Sequence, residues 1–388
     1  MKDLQFPMDL AVRDSLFITQ SGQLPNDDAE EEVLVLREWG TDRIYHLQPI
    51  AMPRSNADTG NVNALGLSAQ TASFDITCEH RTWRLRDLAG RVDLRHDGVP
   101  CTEVLLVPGL EISVGGTTLI AESRRSMALR DYCARLLGWK SDRLGVVDHA
   151  LRSIRLAMFG RSPLFLRGDG DLVPIARAIH RRTLGSLAPF VVSDKRRMTT
   201  DASVRSPANH EGGLAAFRAA AGGSLCIRSS RLPVDYSDVK RLFHEPGNRT
   251  CLHICSSRNS RNTLLSGPAP IEIPPLEGRG DELPRIVMEY AAEAVGLLEA
   301  GDGCFTRADL QWVMDCAATS LPEIEKATLR LVALRKSTSV SHAAEILGIR
   351  QVSLIRWLRR RKSFVNPNRI LPDPRPYVRR LPSSTDVT

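Results

Sequence analysis

Nothing in the sequence approaches the roughly 18 uninterrupted apolar residues that a membrane-spanning helix requires, and the opening MKDLQFPMDLAVRD has no basic stretch leading into an apolar one. The two absences predict a cytoplasmic chain with no membrane partner. CxxC pairs and zinc-ligand spacings are missing too: the eight cysteines (Cys78, Cys101, Cys133, Cys226, Cys251, Cys255, Cys304, Cys316) are scattered. Reduced, mostly buried thiols and no bound metal are the expectation. Cys251, His253 and Cys255 alternate in CLHIC, but so do the residues of any strand, and two thiols with one imidazole leave a tetrahedral site incomplete. No repeat of solenoid period is present. The absence with the most consequence is local: acid gathers early, at 27–32, whereas 350–362, RQVSLIRWLRRRK, contains none.

What is present is ordinary globular material. Hydrophobic residues make up 42% and charged residues 25% of the 388, with a net charge of +7. That is enough apolar material for real cores and too long a chain for one, so about two to four compact units are expected. The charge is modest for the length, and its placement matters more than its sum. The acidic start, ending in PNDDAEEE, has little to bury and reads as a flexible tail. Short apolar runs follow: EVLVLREW, RIYHLQPIAM, SFDITCEH, TWRLRDL, TEVLLVPG, LEISVG and TTLIAE, with turn residues at 56–60, Asp97 and Gly98, Pro108 and Gly109, and Gly115 and Gly116. This rhythm predicts an antiparallel β-sandwich or barrel up to about residue 122. From Ser126 the spacing turns helical in MALRDYCARLLGW and VVDHALRSIRLAMF. Then PLFLRG, the helical LVPIARAIHRRT, PFVVS, SLCIRSS and CLHICSS alternate as in a parallel α/β sheet. After IEIPPL, 281–334 is helical in pattern.

In SLPEIEKATLRLVALR, Ile324, Ala327, Leu331 and Leu334 recur at helical spacing, and a turn is expected at 336–339. SVSHAAEILGIRQVSLIRWLRRRK then reads as a helix with Ala343 and Ala344 inward, a break at Gly348, a turn anchored by Ile349, and a second helix with Val352, Ile355 and Leu358 inside. Its outer face would hold Arg350, Gln351, Ser353, Arg356, Arg359 and Arg360. This is the chemistry of a DNA-binding helix-turn-helix. A helix fits the major groove, polar residues at its start reach base edges, and arginines farther along neutralise phosphates. A solvated basic helix end would show the same charges without the Ala-Ala and Gly-Ile elements at this spacing. With Ser341 of the preceding helix, these residues form the predicted contact set, and double-stranded DNA is the predicted partner.

AAEILGI followed by a basic helix resembles the Fis-type helix-turn-helix that ends sigma-54-dependent enhancer-binding activators, and the resemblance extends upstream. PLFLRGDGDLVPIARAIHRRTLGSLAPFVVSD is similar to the Walker A region of that family, in which GExGTGKE leads to an AxxIH helix and then PFV. Ala176, Ile179, His180, Pro189, Phe190 and Val191 carry the match. A phosphate-binding loop GxxxxGK[ST] works because backbone amides cradle the phosphates, lysine neutralises them and Ser or Thr holds the metal. Here Gly168 and Gly170 are followed by Asp171, Leu172, Val173 and Pro174, with neither lysine nor hydroxyl. AAAGGSLCIRSSRLP resembles the Walker B region, GGTLFLDE, with Arg228 and Ser229 in place of the acidic pair. No GAFTGA loop lies between Phe190 and Gly222, and Pro322 stands where the family's WPGNVREL region has an arginine expected to sense nucleotide. IEIPPLEGRGDELPRI keeps the form of PPLRxRxxDIP.

The resemblance thus implies an AAA+-like domain without its chemistry: a pseudo-ATPase, with no catalytic residue and no cofactor. Its degenerate nucleotide cleft would be marked by Gly168, Gly170, Asp171 and Arg228, with Arg167 and Arg177 as further charges for weak nucleotide binding.

EHRTWRLRDLAGRVDLRHDGVPCTEVLLVPGLEISVGGTTLIAE resembles the second half of a forkhead-associated (FHA) domain, through Trp83, Leu85, Asp87, Leu88, Gly109, Ile112 and Gly115. Such domains bind phosphothreonine with an arginine, a serine from SRxxH and an asparagine near NG. Arg54 in MPRSN and Ser68 in GLSAQT match the first two and are the candidate phosphopeptide contacts. Ala69 and Thr71 replace the arginine and histidine of SRxxH, and the NG turn reads GRVDL.

On this resemblance the chain is multidomain: a flexible tail at 1–29, an FHA-like β-sandwich at 30–122, a degenerate AAA+ α/β domain at 123–270, a helical lid at 271–320, an all-α Fis-type helix-turn-helix at 321–363, and a flexible tail at 364–388. The implied function is a bacterial sequence-specific transcriptional regulator, homo-oligomeric and reading paired half-sites, with a phosphoprotein or other protein partner for the FHA-like part. An adaptor or decoy that co-assembles with active AAA+ relatives is the alternative. An ATP-dependent sigma-54 activator is a third, which ATP turnover would reveal.

Overall fold

The computed structural model describes residues 32–47, 74–79, 82–87, 94–159, 162–202, 206–259 and 268–361. Arg54, Ser68, the turn at 56–60, Leu88 and the tails expected at 1–29 and 364–388 lie outside the described residues. By contacts the chain divides into two compact units, Met1–Tyr132 with Lys140–His149, and Cys133–Trp139 with Ala150–Thr388. Among the described residues no helix is long and apolar enough to cross a membrane.

The first unit contains β1 (Val33–Glu38), β2 (Ile44–His46), β3 (Phe74–Glu79), β4 (Thr82–Asp87), β5 (Leu94–His96), β6 (Val99–Pro100), β7 (Glu103–Leu106), β8 (Glu111–Val114) and β9 (Thr117–Ser123). They form two antiparallel sheets, ordered β2-β1-β9-β8-β5-β6 and β3-β4-β7. Period-two alternation drives this arrangement. In β4, Trp83 and Leu85 are buried, while Arg84 and Arg86 face out and pair with Glu103. Leu36, Ile112 and Leu119 of the larger sheet share one core with Ile76, Trp83, Leu85, Val104 and Leu106 of the smaller. Two-residue turns, Asp97-Gly98 and Gly115-Gly116, join β5 to β6 and β8 to β9 at the expected places.

The same unit buries a charge cluster. Arg37 on β1 is 1% exposed. Its Nε donates to Glu122 Oε1 at 3.0 Å, its Nη2 to Asp148 Oδ1 at 2.6 Å, and its Nη1 to the Glu38 carbonyl at 3.1 Å. Asp148 also accepts from the Gly40 N–H at 2.7 Å and from Arg130. Arg130 lies on α1 (Arg124–Leu137) and Asp148 on α2 (Leu144–Met158). Two guanidiniums balance two carboxylates, which is the condition under which buried charge is tolerated. These bonds tie 124–132 and 140–149 to the first unit.

The second unit is built on β10 (Leu164–Gly168), α3 (Val173–Leu184), β11 (Phe190–Ser193), β12 (Ala208–His210), α4 (Gly213–Ala219), β13 (Ser224–Arg228), α5 (Tyr236–Phe243), β14 (Cys251–Ser257) and β15 (Ile271–Glu272). The sheet runs β12-β11-β13-β14-β10-β15, every neighbouring pair parallel, as the alternating pattern predicts. Its central strands are buried on both faces, so they read as continuous apolar runs. Phe217 on α4 and Val239 and Phe243 on α5 cover Val191, Leu225, Leu252 and Ile254.

The helices that follow are α6 (Leu283–Leu297), α7 (Arg307–Cys316), α8 (Leu321–Lys336), α9 (Val340–Ile346) and α10 (Gln351–Arg360). Ile324, Ala327, Leu331 and Leu334 are buried as expected, yet Thr328, Leu329, Val332 and Ala333 are buried too. Helix α8 is therefore enclosed rather than amphipathic, because α6, α7 and α9 all pack against it. Arg279, from the PPLEGRGDELP segment, donates to the Arg135 and Leu136 carbonyls at the end of α1, both at 2.8 Å, and to Glu282 at 2.7 Å.

CLHIC is a strand, β14, and each of its three polar side chains is partnered within the fold. His253 Nε2 lies 3.2 Å from Ser224 Oγ, His180 Nδ1 lies 2.8 Å from the same oxygen, and His180 Nε2 lies 3.0 Å from the Ala188 carbonyl. A carbonyl can only accept, so His180 carries its proton on Nε2. Ser224 then donates to His180 Nδ1 and accepts from His253. Cys255 Sγ faces Cys226 Sγ at 3.7 Å and Cys251 faces the Met158 carbonyl. Among the described residues no group of three or more His, Cys, Asp or Glu is placed to hold a metal ion. Burial holds both imidazoles below their ordinary pKa, with His253 down at about 3.

Two predictions follow from these buried groups. Asp148→Ala leaves the two guanidiniums of the cluster against the single carboxylate of Glu122 and is expected to lower the unfolding free energy by about 3–5 kcal/mol. Urea denaturation measures it, with the exposed Arg241→Ala as a control whose midpoint stays close to wild type; equal shifts in both would remove the cluster from its structural role. The depressed pKa of His253 means that the folded chain binds fewer protons than the unfolded one. Its contribution is complete above pH 6.5 and is lost as the pH falls from there toward about 3, by about 1.4 kcal/mol per pH unit. The stability gap between wild type and His253→Asn should therefore narrow on acidification below pH 6.5, and a gap independent of pH would contradict the neutral buried imidazole.

Candidate nucleic-acid interface and strand-end ion cluster

Helix α9 begins at Ser339, whose hydroxyl accepts the His342 N–H at 3.1 Å and so caps the first turn. Ala343, Ala344 and Leu347 are buried, and the small side chains let α9 lie close to α8 and α10. The turn after it needs a left-handed residue, supplied by Gly348 at φ 61. The Ile349 N–H then returns to the Ala344 carbonyl at 2.9 Å. A helix, a glycine turn anchored at Ile349 and a second helix thus occupy the positions predicted for them.

The inner face of α10 differs from the prediction. Leu354 and Trp357 are buried, Ile355 and Leu358 are half-buried, and Val352 is 63% exposed. Relative to the stripe Val352, Ile355, Leu358, the helix is rotated by roughly 100°, one residue's turn. Trp357 explains the rotation. Its ring meets Trp312 of α7 edge-on, centroids 5.5 Å apart, while the guanidiniums of Arg330 and Arg361 lie 4.8 and 4.9 Å from its centroid. Arg361 also pairs with Glu323 at 2.6 Å. Burial pushes the Glu323 carboxyl up, but Lys326 and Arg361 outweigh it and hold the group below its ordinary range. Neither Trp312 nor Arg330 was legible as a partner, since each comes from a different helix.

Arg350, Gln351, Ser353, Arg356, Arg359 and Arg360 are all exposed on α10 or its cap, and Ser341 is exposed on α9. Among the described residues no carboxylate holds Arg350, Arg356, Arg359 or Arg360, in contrast to Arg361. The structure therefore brings the seven residues predicted from sequence onto α9 and α10 with four uncompensated cations among them.

A second cluster lies at the carboxyl ends of β10, β11 and β13, the edge at which parallel sheets usually take ligands. Gly168 ends β10, and Gly170 and Asp171 lie in the loop after it. Arg228, at the end of β13, reaches Asp171 with two nitrogens, Nε at 3.1 Å and Nη2 at 2.9 and 2.7 Å from the two carboxylate oxygens. Its Nη1 lies 3.3 Å from Asp194, just after β11, and Arg231 lies 2.7 Å from the same oxygen. The four residues predicted for this cleft are therefore together, and Asp194 and Arg231 are partners that the sequence did not reveal. Burial pushes Asp194 up, but the Arg196 N–H and the two guanidiniums overcome it and keep it ionised below the usual range. Burial likewise works against the charge on Arg228, and Asp171 outweighs it, so its pKa is raised.

Asp171 has a second bond, from the Val173 N–H at 3.3 Å at the start of α3. A helix start with free N–H groups is a natural anion position, and here the chain's own carboxylate stands at it. Gly170 (φ 80) lies so close to the start of α8 that a Cβ there would fall 2.7 Å from Ser320 Oγ and 3.6 Å from Pro322. Arg167 pairs with Glu272 at 3.0 Å, and burial lowers the pKa of Arg177 to about 10.

No family model matches the chain, and no curated protein matches it. Among solved structures it is similar to NtrX from Brucella abortus in complex with ATP, at 14% identity and a TM-score of 0.33, over 62% of this chain and 74% of that one. The ADP complex of the same protein gives 14% identity and a TM-score of 0.33, over 61% and 72%. Likenesses this slight carry no functional conclusion.

Proposed function

We propose that the chain is a sequence-specific DNA-binding transcriptional regulator, related to sigma-54-dependent activators, whose α/β unit has given up ATP hydrolysis. The observation that carries this reading is the exposed surface of α10 and its cap: four arginines without carboxylate partners, with Gln351 and Ser353 at the start of the helix, while Leu354 and Trp357 lock its buried side. A helix with that distribution suits a major groove, its first turn at the base edges and its later arginines at phosphates. Residues 321–361 then serve as the Fis-type helix-turn-helix, α6 and α7 as the lid, and the parallel sheet as the AAA+-like scaffold. The first unit, with Trp83 and Leu85 in its core, is the FHA-like module that meets a protein partner. Such a regulator works in the bacterial cytoplasm as a homo-oligomer on paired half-sites.

The strand-end cluster favours a pseudo-ATPase. Bound triphosphate needs free amides and an uncommitted cation, whereas Asp171 is already at the helix start and Arg228 is already committed to Asp171 and Asp194.

Selection from random duplexes with the full chain should enrich one sequence, and binding to it should weaken steeply with salt. The Arg356→Ala, Arg359→Ala variant should flatten the log-log salt slope by about 1.8, each phosphate contact accounting for about 0.9. A monodisperse, folded protein that enriches nothing would overturn this reading and leave the adaptor that co-assembles with active relatives. Millimolar MgATP should be neither hydrolysed nor able to raise the melting temperature. Measurable turnover would restore the activator reading, and a rise of several degrees would show that the cleft still binds nucleotide.

A further inference from the structure

We propose that Val352 reads the C5-methyl group of a thymine in the major groove, which makes it a specificity residue of α10; the inference rests on the DNA-binding reading above. Single exposed apolar residues are common and mean little by themselves. The surroundings of this one are different. Successive helical residues turn by about 100°, so Val352 lies roughly opposite the buried Leu354 and Trp357 and shares its face with Arg356 and Arg359, one and two turns farther on. It is 63% exposed in the first turn of the helix, between Gln351 and Ser353, on an element without a single acidic residue.

That is the part of a groove-lying helix that meets base edges, whereas the arginines behind it are placed for phosphates. Binding to phosphates alone would be served by any polar side chain at this position. An isopropyl group needs an apolar partner to gain anything from contact. Among the four bases only thymine presents one in the major groove, its C5-methyl. The cationic frame brings the duplex to this face, and Val352 then distinguishes thymine within it.

The test uses the full chain and the duplex enriched by selection, remade with each thymine replaced in turn by deoxyuridine, which removes the methyl alone. Wild type should lose about fourfold in affinity at one thymine of each half-site, the value of one buried methyl. Val352→Ser should bind the thymine and deoxyuridine duplexes alike while keeping the wild-type salt slope. Val352→Ala is the second variant, should Val352→Ser not fold, and it too should lose most of the preference. Wild type that is indifferent to every replacement overturns the inference and leaves DNA binding standing, as does a variant that retains the full preference. Failure to enrich any duplex overturns the DNA-binding reading itself, and this inference with it.

Discussion

The direction in which α10 presents its side chains depends on the seat of one indole. Trp357 is held from three sides, by Trp312 and by the guanidiniums of Arg330 and Arg361, and the rotation that keeps this ring buried leaves Val352 in water. Stacked guanidiniums suit this task because their planar, weakly hydrated charge tolerates contact with an aromatic face better than an ammonium would. Arg361 therefore has a role unlike that of its neighbours at 359 and 360. In a run of like-charged residues, a carboxylate, Glu323, singles out the one that packs.

Asp171 exerts comparable control over the parallel sheet. An acid at the start of α3 would be expected to repel any anionic ligand, but its structural effect is larger than repulsion. It draws Arg228 down onto the loop, Arg228 brings Asp194 with it, and Asp194 gathers Arg231. The outcome is a closed ionic net across three strand ends, with its buried carboxylate matched by surrounding donors, as the low dielectric of such a site requires.

Much of this was legible in the sequence, for physical reasons. Strands such as β4 and β14 declare themselves through alternation or through continuous burial, and the glycine turn at Gly348 through its position after a short helix. The exposed polar residues of α9 and α10 were also readable, being polar on helices with few alternatives. Strands β5, β6, β12 and β15 are two or three residues long and exist only through their neighbours, so local pattern carries no trace of them. The sequence leaves the inner face of α10 ambiguous, because Val352, Ile355, Leu358 and the pair Leu354, Trp357 offer stripes of the same spacing. The choice between them is made by Trp312 and Arg330, which lie far away in sequence. Helix α8 looked amphipathic for a similar reason, since α6 covers its second face.

Among the described helices α8 is the longest. Its 16 residues form an unbroken rod about 24 Å long. One end rests on the loop at Gly170 and the other hands the chain to Ser339. A rod enclosed on all sides opens to solvent only when its neighbours do, so its amides belong with the slowest-exchanging part of this unit. The strand-end loop and the exposed arginine face are thereby attached to opposite ends of a single cooperative segment, and whatever loosens one end is felt at the other as stability.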